Sequence, residues 1–142
     1  MSLFDTFKVA ASAMRAQSHR MNSVASNMAN AGTIAPSEQD AYKAKRVIFE
    51  AVLDKKTGVG AKASAVAMVR TKDVVNDNTP AKKLFNPGHQ MADEQGYVYM
   101  PDINPAQEMV DMLEATRSYQ TNAEVMNTSK SLMIKTLNIG ST

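Results

Sequence analysis

From residue 3 to residue 31 the chain places a side chain on one stripe at alternating steps of four and three. The positions are Leu3, Phe7, Ala10, Met14, Gln17, Met21, Val24, Met28 and Ala31. Such steps keep side chains on one face of an α-helix, and their sum of seven is the coiled-coil repeat, interrupted here only by the polar Gln17. Ser2 is placed to cap this helix, and Asp5 three residues on fits a variant of the capping box. Gly32 is the expected C′ stop.

Between Thr33 and Pro101 the period changes. "IAPSEQDA" reads as loop, and "YKAKRVIFEAVL" (42–53) then sets Val47, Phe49, Ala51 and Leu53 on one side of a period-two alternation, the mark of a strand. A "DKKTG" turn leads to a second, small-residue strand through Val59, Ala61, Ala63, Ala65, Ala67 and Val69. Pro87-Gly88 is a turn dipeptide, and "GYVYMP" is a short strand closed by Pro101.

Residues 104–139 return to the helical period. Asn104 as cap, Pro105 at the first helical position and Gln107 three after the cap make a start signal. Glu108, Asp111 and Glu114 lie early while Lys130 and Lys135 lie late, which suits the helix dipole at both ends. Two adjacent stripes run down this segment. One passes through Met109, Leu113, Thr116, Gln120, Ala123, Asn127, Lys130, Ile134 and Leu137; the other through Met112, Ala115, Tyr119, Asn122, Met126, Ser129, Met133 and Thr136. Two stripes imply more than one neighbouring helix, and Gly140 is the expected end.

The first helix carries only six sizeable apolar side chains on its seam, and isolated helices are marginal in water. The end helices therefore need each other and helices of other molecules. Eleven methionines against four phenylalanines and no tryptophan point the same way, because methionine fills variable gaps. Amides recur on or beside these stripes: Gln17, Gln120 and Asn127 on seams, Asn27 and Asn30 flanking the first, Asn122 on the last. They fix the register of association or serve as caps and exposed polar residues; spacing leaves both readings open.

The net charge of +2 is unevenly spread: residues 43–83 hold ten Lys/Arg against four acids, and residues 93–124 hold seven acids against Arg117. These segments are solvated faces or attract their opposites in neighbouring copies. Nucleic acid is not an expected partner, since only Tyr42, Phe49 and Phe85 supply rings within the basic stretch.

Absent chemistry narrows the classes further. Without cysteine there is no disulfide, thiolate metal site or thiol nucleophile. His19, expected to face solvent, and His89, expected in a loop, have no second ligand at metal spacing. Asp93-Glu94 comes with no sign of the cleft that acid–base work needs, and no phosphate-binding glycine loop or nucleophile motif is present. The expectation is a non-enzyme with no cofactor and no metal. No apolar run is long enough to span a bilayer, so no direct membrane insertion is expected. A secretory leader is not evident at the N-terminus.

"ASNMANAGT" (25–33) resembles the S-N-x-A-N-x-x-T signature of the bacterial flagellar rod and hook axial proteins. "YKAKRVIFEAVL", "NPGHQMADEQGYVYMPDIN" (86–104) and "EMVDMLEATRSYQTNAEVMNTSKSLMIKTLNIG" (108–140) are similar to the proximal-rod branch of that family, the FlgC type. The resemblance carries Ser26, Asn27, Asn30 and Thr33 over as signature positions, with Arg117, Tyr119, Gln120, Asn122 and Asn127. It implies a mainly α fold with a small β insert: terminal helices (1–33 and 102–142) pairing as a coiled coil, and a central small β-rich domain (34–101). It further implies a structural rod subunit that transmits torque and forms part of an export-channel wall. Such a subunit leaves the cell by type III export without a cleaved signal and resides in the periplasm-spanning basal body. The partners implied are other flagellar rod proteins and copies of itself, with MS-ring and export-apparatus junction proteins. The assembly interface implied comprises Leu3, Phe7, Met14, Gln17, Met21, Val24, Asn27, Met28 and Asn30 on the first helix. On the last helix it comprises Met109, Met112, Leu113, Tyr119, Gln120, Asn122, Met126, Asn127, Met133, Ile134 and Leu137. Gly32 and the loops "IAPSEQDA" and "DVVNDNTPAKKL" depart from the family pattern. The rival reading is a soluble partner-binding module, a two-helix stem with a β cap and one partner surface.

Overall fold

The computed structural model describes residues 3–55 and 65–139. In chain order these form α1 (Leu3–Asn30), β1 (Lys45–Lys55), β2 (Ala65–Asn76), β3 (Lys82–Phe85), β4 (Tyr97–Met100) and α2 (Pro105–Ile139). β1 pairs with β2, and β3 pairs antiparallel with β4 from Lys82↔Met100 to Phe85↔Tyr97. The architecture is mainly α with two small two-stranded sheets. The Ser2 cap, the Gly140 stop, the residues of "DKKTG" beyond Lys55, and Val59, Ala61 and Ala63 lie outside the described residues.

α2 begins as its sequence dictates. Asn104 Oδ1 accepts the Ala106 N–H at 3.0 Å, so one of the otherwise unpaired first-turn donors is satisfied. α1 ends differently from expectation. Gly32 does not take the left-handed conformation of a C′ cap; among the described glycines only Gly96 has positive φ. The carbonyl of Asn30 is instead capped by Thr33, whose hydroxyl and N–H donate to it at 2.8 and 3.1 Å.

Two further strand segments escaped the periodicity. β2 continues past Val69 to Asn76, and β3 is a four-residue strand exposed throughout. Alternation marks a strand only where one face is covered. Past Val69, Arg70, Lys72, Asp73, Val74 and Asn76 of β2 are all exposed, and β3 has no covered residue, so neither segment carries that signature.

The chain divides into two compact units. The first comprises residues 1–19, 48–73 and 114–142. Its buried residues are Asp5, Ala10 and Ala16 on α1, Val66 on β2, and Ala115 and Ser129 on α2. Ser12 Oγ accepts the Val69 N–H at 3.2 Å and donates to the Val9 carbonyl at 2.7 Å.

The second unit comprises residues 20–47 and 74–113 and is buried around Val24, Ala35, Ala41, Ala44, Val98 and Ile103. Ala35 exchanges two backbone hydrogen bonds with Tyr99, covering the edge of β4 away from β3. The β3–β4 loop is ordered by Asp93, whose Oδ1 accepts the N–H groups of Gln95 (2.9 Å) and Tyr97 (2.8 Å). Gly96 closes that loop at φ +82°, and a Cβ there would lie 3.0 Å from the Phe85 ring and 3.1 Å from Pro87. Gly96→Ala is therefore expected to destabilise by about 1–2 kcal/mol. Thermal unfolding checks this, and a variant as stable as the parent would mean the loop relaxes freely.

Candidate functional site, a buried amide network and an open helix face

The signature residues of α1 converge on a polar network inside the second unit. Asn27 is completely buried. Its Nδ2 donates to the Lys45 carbonyl at 3.0 Å and to Glu108 Oε2 at 3.1 Å. Its Oδ1 accepts the Lys45 N–H at 2.8 Å and the Tyr42 hydroxyl at 3.1 Å. An asparagine amide offers two donors and two acceptor positions, so Asn27 is fully satisfied within its own chain.

The surrounding groups extend the network. Tyr42 gives its single hydroxyl proton to Asn27, so the 3.0 Å contact between Ser26 Oγ and Tyr42 Oη is donated by Ser26. Glu108, 1 % exposed, spreads its carboxylate over two partners: Oε2 on Asn27 and Oε1 on Arg46 Nη1 at 2.8 Å. A buried carboxylate is tolerable only when paired and hydrogen-bonded in this way. Asn30 Nδ2 folds back onto the Ser26 carbonyl at 2.8 Å. Arg20 pairs with Asp111 at 2.7 Å. The four signature positions thus form one local device. Ser26 and Asn27 fasten α1 to the start of β1 and the first turn of α2, while Asn30 and Thr33 shape the helix end.

Beside this network, Asp77 sits 3.8 Å from Arg46. The hydroxyl and N–H of Thr79 donate to its carboxylate and, with the Arg46 charge, hold its pKa below the usual aspartate value. That is turn chemistry; no grouping of three or more metal-ligating side chains occurs among the described residues. His19 is exposed, and His89 Nδ1 accepts the Met91 N–H at 3.1 Å within the β3–β4 loop.

The remaining sequence-derived positions separate by burial. On α1, Val24 is buried, and Phe7, Met14, Gln17, Met21, Met28 and Asn30 are half-buried. Gln17 Oε1 is shielded and accepts no hydrogen bond. The side chain of Leu3 lies outside the described residues. On α2 the two stripes differ. Along the second, Ala115 and Ser129 are buried, Met112, Asn122, Met126 and Met133 are half-buried, and Tyr119 is exposed. Along the first, Met109 (54 %), Leu113 (64 %), Ile134 (50 %) and Leu137 (69 %) are exposed, as are Gln120 and Asn127. Sequence spacing missed Glu108, Arg46 and Tyr42 as members of the network. Glu108 carries only the generic signal of an acid near a helix N-terminus.

The comparisons with known proteins agree in direction. Residues 94–139 match the family model described as flagellar basal body rod FlgEFG protein C-terminal. The chain is 43 % identical over 140 residues to a flagellar basal-body rod protein FlgC of Yersinia enterocolitica, with 99 % of each chain covered. It is 41 % identical over 140 residues, again 99 % of each, to one of Salmonella typhimurium (strain LT2). A more distant relative, FlgC of Borreliella burgdorferi, is 31 % identical with 98 % of each chain covered.

Proposed function

Because the chain belongs to the FlgC family of flagellar basal-body rod proteins, we propose that it builds the rod by seating the open stripe of α2 against helices of neighbouring subunits. It is a structural subunit and not an enzyme. The observation that carries the reading is the uneven burial of α2, which buries Ala115 and Ser129 within the chain and leaves Met109, Leu113, Ile134 and Leu137 open. Large apolar side chains spaced along one helix face mark a surface that another element covers.

In this reading α1 and α2 pair as a coiled coil through their covered stripes, and the open stripe meets copies of itself and other rod proteins. The half-buried Met14, Met21 and Met28 adapt to contacts that differ slightly from neighbour to neighbour. The amide network acts behind that interface, holding the ends of both helices so that the open stripe keeps one orientation. The assembled helices form part of the export-channel wall and transmit torque, while residues 34–101 supply the β-rich part of the subunit. Subunits travel by type III export without a cleaved signal and assemble across the periplasm, next to the MS ring and the export-apparatus junction. No helix among the described residues is long and apolar enough to cross a membrane.

The test is the amount of the chain in purified, detergent-resistant basal bodies of its own source. A fixed, small copy number is expected there, and absence with a soluble pool elsewhere would favour the partner-binding module. The doubly substituted Leu113→Glu, Leu137→Glu chain is expected to keep its helix content by circular dichroism while its incorporation falls at least about tenfold, roughly 1.4 kcal/mol or more of lost association. Incorporation at the parental level would remove the open stripe from the interface.

A further inference from the structure

The first unit contains an open cavity of about 360 Å³ between α1 and the β1–β2 sheet. Apolar side chains of Ala16, Val52, Met68 and Val69 line it together with the guanidinium groups of Arg15 and Arg70 and the imidazole of His19. Arg70 is paired with Glu50. Arg15 and His19 are exposed and have no ion-pair partner among the described residues. Thr71, also in the lining, has a shielded hydroxyl without a hydrogen-bond partner. The chemistry suited to such a site is an apolar side chain followed closely by a carboxylate.

The β3–β4 loop of the second unit presents that pair. Met91 is 47 % exposed and Glu94, three residues later, is exposed without an ion-pair partner among the described residues. The neighbouring Asp93 is committed to the backbone of its own loop, so Glu94 is the acid the loop can offer. Asp93 and the positive-φ Gly96 tie the backbone of the loop to one course, which lowers the ordering entropy of presenting it.

We propose that the β3–β4 loop of one copy docks in this cavity of a second copy, with Met91 against the apolar lining and Glu94 paired with the Arg15 guanidinium beside His19. Charge and apolar complementarity between these two surfaces selects a second copy as the occupant. The two surfaces are different patches, so the contact is head-to-tail and repeats without closing on itself unless the rotation happens to form a ring. The proposal rests on the rod reading and adds to it a second contact, distinct from the helix stripe.

The test exchanges the charges. Chains carrying Arg15→Glu, Glu94→Arg or both are expressed in the source bacterium in place of the parent, and their amounts in purified basal bodies are compared. Each single change is expected to reduce incorporation about fivefold and the double change to return it to within about twofold of the parent, in keeping with partly exposed ion pairs. A second arm uses the absence of native cysteine. Differently tagged His19→Cys and Glu94→Cys copies are co-expressed and oxidised in the basal body, and a covalent dimer bearing both tags is expected. Single variants that incorporate like the parent, a double variant no better than the worse single, or the absence of the mixed-tag dimer would each overturn the contact. A parental chain missing from basal bodies would instead remove the rod reading, and this contact with it.

Discussion

Asn27→Ala is expected to lower the stability of the folded chain by about 3–5 kcal/mol, a large effect for one surface-sized amide. The reason is what the change leaves behind. The Lys45 N–H, the Lys45 carbonyl, the Tyr42 hydroxyl and Glu108 Oε2 each lose a partner. A buried polar group stripped of its partner costs about 1–3 kcal/mol, and the costs do not add fully because neighbours relax. For a chain of 142 residues this corresponds to a fall in Tm of roughly 10–17 °C. Asn27→Asp separates geometry from charge. It keeps both acceptor positions but sets a second carboxylate against Glu108, so it should be no milder than the alanine change. Thermal unfolding by circular dichroism reads both. A fall of less than about 3 °C for Asn27→Ala would mean that water takes over the amide's role.

Arg46→Met should destabilise by about 2–3 kcal/mol, because it leaves the buried Glu108 carboxylate without its cation. Glu108→Gln should cost less, about 1–2 kcal/mol. The glutamine oxygen can still accept from Asn27, and Arg46, 45 % exposed, can turn to water or to Asp77. The asymmetry makes a double-mutant cycle informative. With Glu108 already neutral, adding Arg46→Met should cost little, giving a coupling of at least about 1 kcal/mol. Denaturant titrations of the four chains measure it. Additive effects would show that Arg46 and Glu108 act separately and that the pair is not what makes the burial tolerable.

Much of the scaffold was legible because helices write their environment into a period. The four-and-three steps of α1 mark a stripe whose described residues are buried or half-buried, whereas the doubled stripes of α2, expected to meet more than one neighbouring helix, differ in burial within the chain. The cap at Asn104 followed from residue types alone. The network escaped because its partners are not side chains in a pattern. Two of the four groups on Asn27 belong to the backbone of Lys45, and the acid it meets lies 81 residues further along the chain. A sequence shows Asn27 beside a seam; it does not show that a strand start and a helix start arrive at the same amide. β3 escaped for the opposite reason, since its four residues are all exposed and carry no alternation. Gly32 misled because glycine after a helix suggests a left-handed cap, whereas the threonine one position later performs the closure with its hydroxyl.

The separation of Asn27 from Glu108 also sets an order of events during synthesis. When α1 leaves the ribosome the Asn27 amide is bonded to water, and the acid that completes its site has yet to be translated. Closing so distant a contact is entropically late in any folding route. The N-terminal helix therefore waits, without its partner, until the last third of the chain has emerged.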